Sequence, residues 1–156
     1  MSAFKAAATK QPIASATPEK LFVHADGATN YFAWITSLTK RAKSLFPKFE
    51  LWKDVVGDSK PGFELQVLME TNLPLLPPEK QPSAAVKLQL LKDDIREAKI
   101  AQFSAVWAEV TEASKLRTLS RYGLDYRTAE DANDVSALMK LLAKVHLGQS
   151  LSLIHI

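Results

Sequence analysis

An all-α domain of five or six helices is what the sequence predicts, and three stretches carry that prediction. Residues 29–46 space Tyr31, Trp34, Ile35, Leu38, Ala42 and Leu45 three and four apart, and residues 83–122 contain neither proline nor glycine. Residues 133–148 repeat the helical spacing through Val135, Leu138, Met139, Leu142 and Val145. Apolar positions that recur in this way fall on one side of a helix, which buries that side against its neighbours.

Residues 1–20 are rich in Ala, Ser, Thr and Lys and lack an apolar run long enough for a signal-peptide core or a membrane span. A disordered tail is expected there, ahead of one domain over 21–150. The first helix has Thr29 or Asn30 to accept a backbone hydrogen bond at its start. Pro47 stops it, because proline disfavours the helical conformation in the residue before it. Phe49, Trp52 and Val56 predict a short second helix closed by Gly57 in the left-handed conformation. The stretch FELQVLME (63–70) fits both periods over eight residues, and a helix is the expectation.

Four prolines in residues 71–82 rule out a helix interior or a central strand, which leaves a connector. Its Leu73, Leu75 and Leu76 are expected to lie against the domain, and PLLPP reads as a packed loop in preference to an SH3 ligand. The long helical run from Ser83 is expected to break near Gln102 to Ser104. Val86, Leu90 and Ile95 are read as the buried side of its first part, with Phe103, Val106, Trp107, Val110 and Leu119 serving the second. The last helix takes its cap from Asn133 or Asp134 and its end from Gly148. Trp34, Trp52, Trp107, Leu138 and Leu142 are the expected core anchors.

A chain of 156 residues suits one domain with a single core. It has no cysteine, which excludes disulfides, Cys-ligated zinc and thiol nucleophiles and fits a reducing, cytoplasmic setting. Of the net charge of +3, residues 1–57 hold eight Lys/Arg against four Asp/Glu. That excess marks Lys40, Arg41, Lys43 and Lys48 as candidate RNA contacts of a weak, nonspecific kind.

Catalytic patterns are sparse. Asp93, Asp94 and Glu97 resemble the aspartate-rich motif of prenyl-transferring enzymes, but no second acidic motif faces them, and Arg96 and Lys99 make a solvated acidic helix side the simpler reading. His24, His146 and His155 share no metal-ligand spacing, so no metal or cofactor is expected. His146 reads as a capping or half-buried residue whose cation is favoured by a helix C-terminus. With no Gly-rich phosphate loop, nucleophile elbow or HExxH, no enzymatic activity is expected.

In residues 22–58, a small-residue turn is followed by Asn30-Tyr31, Trp34 in a long helix and Leu51-Trp52 in a second one. Downstream, an aromatic-anchored helix leads to Asp134, Leu138, Leu142 and His146 four residues apart. These stretches resemble the Gag polyprotein of copia-type LTR retrotransposons, over Leu21 to Ser150. The chain has Leu138-Met139 where that family has Leu-Trp, and the family's Cys- and His-bearing zinc knuckle has no counterpart in these residues. The final LSLIHI resembles the translation of CTG TCT CTT ATA CAC ATC, a sequencing-library adapter, so residues 151–156 are expected to be an artefact of truncation. The resemblance implies a capsid-like subunit that associates with itself and helps package RNA. The readings beside it are a helical adaptor that never assembles and, third, a magnesium enzyme using Asp93, Asp94 and Glu97.

Overall fold

The structure is a computed structural model that describes residues 18–155 apart from Ala25 and Asp58, with side chains described up to Gly148. Most of the expected tail, 1–20, and the side chains of 151–156 lie outside the described residues. The fold is a single all-α domain, with six helices among the described residues: α1 (Tyr31–Leu45), α2 (Trp52–Val56), α3 (Glu64–Asn72), α4 (Gln81–Ala108), α5 (Glu112–Ala132) and α6 (Val135–His155). Short 3-10 turns cover Lys48–Glu50 and Leu73–Leu75. Among the described residues there is no strand, only isolated bridges pairing Leu21 with Val110 and Val23 with Thr29.

The core forms where α1, α5, α6 and the C-terminal half of α4 meet. Trp34, Leu38 and Ala42 from α1 join Phe103 and Val106 from α4, Tyr126 and Ala129 from α5, and Val135, Leu138 and Leu142 from α6. Leu21 enters the same cluster from outside the helices, held by hydrogen bonds from its N–H to the Glu109 carbonyl (2.7 Å) and from the Thr111 N–H to its own carbonyl (2.9 Å).

That clamp explains where the long helix ends. The predicted break at Gln102 to Ser104 is absent, and α4 runs through it, because Gln102 is buried with its amide donating to the Leu51 carbonyl at 2.7 Å. A buried amide with a partner needs no interruption of the helix. The break falls at Glu109–Thr111 instead, where Val110 leaves the helix to pair with Leu21, and the Thr111 hydroxyl accepts the Ser114 N–H to start α5. Helix α5 then continues past Gly123 to Ala132, with non-helical backbone angles at Tyr122.

Other boundaries differ in instructive ways. Asn30 stands at the start of α1, but its side chain accepts from Phe22 N–H and donates to the Lys20 carbonyl, so it ties down the preceding segment instead of capping the helix. The Thr29 hydroxyl accepts the Tyr31 N–H, and Asp134 accepts the Ala137 N–H as the cap of α6. Gly57 closes α2 at a φ of 84°, as its position predicts, and FELQVLME is helical. Gly148 does not end α6, which is assigned through His155. One glycine costs about 1 kcal/mol in a helix, too little alone to terminate it. The connector is shorter than 71–82: Thr71 and Asn72 belong to α3, and Pro82 occupies the first turn of α4, where a missing N–H costs nothing.

Candidate functional site

Helix α1 sets Trp34 and Arg41 about two turns apart on one side, both facing Glu109 at the α4–α5 junction. The Glu109 carboxylate accepts Trp34 Nε1–H at 3.1 Å and both Arg41 guanidinium nitrogens, Nη1 at 3.0 Å and Nη2 at 2.9 Å. A two-pronged bond of this geometry is stronger and more directional than a lysine contact. Arg41 is therefore tied to Glu109, a partner with which an RNA phosphate would have to compete.

The other three basic candidates are exposed, yet two of them have partners. Lys48 Nζ lies 3.0 Å from Asp94, and Lys43 Nζ stands 5.3 Å from the Trp52 ring centre. Exposed ion pairs and cation–π contacts contribute little and exchange readily with other anions. Lys40 makes no such contact among the described residues and lines an open cleft with Phe32 and Thr36. Two of the acidic trio are likewise engaged, with Asp93 accepting from Gln89 at 2.9 Å and Asp94 held by Lys48.

His146 is buried, against the expectation of a cationic, half-buried cap. Its Nδ1–H donates to the Leu142 carbonyl at 2.7 Å, so Nε2 is the acceptor and takes the buried Ser114 hydroxyl proton. The ring stacks on Tyr31 at 6.0 Å between centroids. Burial pushes its pKa below the usual histidine value, with Arg117 adding to the effect and the Leu142 carbonyl opposing it. Serine, histidine and a carbonyl in line resemble a nucleophile relay, but the Ser114 side chain is wholly enclosed and no substrate atom can reach it. The trio is a polar tie joining α5 to α6. Burial likewise raises the Tyr31 pKa, and it raises that of Asp54 with help from Asp134, which shares with it a lysine-rimmed cleft of about 550 Å³.

Trp34, Leu138 and Leu142 are buried as the expected anchors, and the motif residue Leu51 is buried too, whereas Trp52 and Trp107 are half-buried. Trp107 packs on Tyr126 at 4.5 Å with Lys115 over its ring. Sequence reasoning missed Glu109, Ser114 and Gln102, because polar residues carry no periodic signal of burial or pairing.

The largest departure concerns α3 and the N-terminal part of α4. Helix α3 packs on α4 and the turn between them, with no comparable contact to the other helices. The two helices form an arm, with Lys92 bridging to Glu70 at 3.2 Å. Val86 and Leu90, expected to be buried, are exposed, whereas Ile95 is buried as expected and Leu88 joins it on the inward side. Leu75, expected to lie against the domain, is exposed, as are Leu65, Val67 and Leu68, so six apolar side chains of the arm are between 56 and 76 % accessible. Leu45, the last residue of α1, and Leu119, beside the buried Thr118, also turn outward. Among the described residues no group of three or more metal-ligating side chains occurs, and no helix is long and apolar enough to cross a membrane. No family model matches the chain, and neither a curated protein nor a solved structure matches it.

Proposed function

We propose that this chain is a structural, non-enzymatic subunit that associates with copies of itself, in the manner of the Gag-like capsid proteins it resembles, in a cytoplasmic setting. The apolar arm is the observation that carries this reading. Monomeric proteins rarely expose contiguous apolar patches of more than a few hundred Å². Here the inward side of α3, where Gln66, Met69 and Leu73 are half-buried, meets α4, and Leu68 and Leu75 point elsewhere. Val86 and Leu90 lie on the side of α4 opposite Leu88.

Two apolar sides on one arm suit a lattice, in which each subunit touches more than one neighbour, better than a closed pair. Burying each of the six side chains contributes on the order of 1 kcal/mol, and association costs roughly 4–15 kcal/mol in lost freedom. Single contacts of that size are weak, and growth depends on many of them acting together. Replacing Leu68 and Leu75 together with Glu is expected to leave the helical circular dichroism unchanged and to limit mass growth in light scattering to a dimer at most. Unchanged growth would contradict the role given to the arm.

RNA enters this reading as an electrostatic gatherer of subunits. Lys40, Lys43 and Lys48 are exposed and remain the proposed contacts, without Arg41. Changing all three to Gln is expected to lower the slope of log affinity for single-stranded RNA against log salt by about 2, at about 0.7 per phosphate contact. An unaltered slope would remove these residues from the RNA surface. The adaptor reading uses the same exposed leucines for a different protein and predicts a chain that stays monomeric alone.

A further inference from the structure

The charge order along the outer side of α4 specifies how two copies meet. On that side, Leu90 is preceded by Ser83, Val86 and Lys87 and followed by Asp93, Asp94 and Glu97. The N-terminal part of the strip is thus apolar and basic, and the C-terminal part is acidic. A parallel copy would set acid against acid, whereas an antiparallel copy sets the basic part of each against the acidic part of the other.

We propose that two copies pair through the outer sides of their α4 helices, antiparallel, about a two-fold axis passing beside Leu90. This rests on the self-association reading and names one of its contacts. Helix geometry then brings Leu90 beside its own equivalent and sets Lys87 level with Asp93 and Asp94 of the second copy, with Ser83 level with Glu97. Lys87 is exposed, and the Asp93 and Asp94 side chains each remain 45 % accessible, so their present partners leave room for a further one. Leu88 and Ile95, on the opposite side of α4, are already buried within the subunit and take no part. The contact is isologous, so it uses up the α4 side of both arms and leaves the α3 sides free for other neighbours.

The chain has no cysteine, which makes a direct test simple. Leu90→Cys in the full chain is expected to form a disulfide-linked dimer under mild oxidation, at least ten times faster than the exposed control Leu124→Cys. Adding Lys87→Glu should suppress that link, and adding Asp93→Lys and Asp94→Lys to this variant should restore it. Equal rates for Leu90→Cys and Leu124→Cys, in a chain that still grows in light scattering, would overturn the antiparallel pairing and leave self-association standing. Equal rates in a chain that is monomeric at every concentration would overturn both.

Discussion

Trp34→Ala is expected to destabilise the domain by about 3–5 kcal/mol, the usual loss for a large aromatic deleted from a core. The indole is almost wholly buried among Leu38, Val106 and Leu142, and its Nε1–H is one of three donors to Glu109. Removing it opens a cavity and strips the half-buried carboxylate of one partner. Trp34→Phe keeps most of the volume and loses only the hydrogen bond, so it should cost about 1–3 kcal/mol. Urea unfolding followed by circular dichroism measures both. If Trp34→Phe were as damaging as Trp34→Ala, the indole N–H and not the packing would dominate. If both were silent, this core assignment would fail.

His146→Leu is expected to cost about 2–4 kcal/mol, because it leaves the Ser114 hydroxyl buried without its acceptor and the Leu142 carbonyl without the imidazole N–H. Pairing it with Ser114→Ala should recover part of that loss, since removing both members of a buried hydrogen bond costs less than removing one. The pH dependence follows from the direction of the shift. The folded-state pKa of His146 lies below its ordinary value of 6.5, so the folded chain binds this proton less readily than the unfolded chain does. Its stability contribution is fully present above about pH 6.5 and falls as the pH drops through and below that value. Melting temperature recorded from pH 8 to pH 5 should therefore decline on the acid side in the native chain and decline less in both variants. An identical decline in all three would assign the acid sensitivity to other groups.

The anchors that sequence reasoning found are those for which periodicity and burial coincide. Trp34, Leu38, Leu138 and Leu142 repeat at helical spacing and lie at the centre of the core. The caps at Gly57 and Asp134 were legible because each demands a specific local chemistry, a left-handed backbone in one case and a side-chain acceptor in the other. What escaped was tertiary. Periodicity says that α4 has two candidate apolar sides, Val86–Leu90 and Leu88–Ile95, but the choice between them is made by α3 and α6 packing against the second. The roles of Arg41 and Glu109 depend on a contact across 68 residues, for which a single sequence holds no signal. His146 was identified by its place in a four-residue repeat, yet its lowered pKa follows from burial between helices, where Ser114 of α5 meets it.

The same distinction separates the fold from the function. Helical order follows from local chemistry, whereas self-association depends on surfaces whose exposure appears only once the arm is built. The molar mass of the purified chain from 1 μM to 200 μM, by light scattering with and without single-stranded RNA, tests the central claim most directly. A second protein ending at Ser150 separates the arm's contribution from that of the apolar residues 151–156. The account predicts that both proteins gain mass with concentration and gain more with RNA. A constant mass equal to one chain, at every concentration and with RNA present, would contradict it and favour the adaptor.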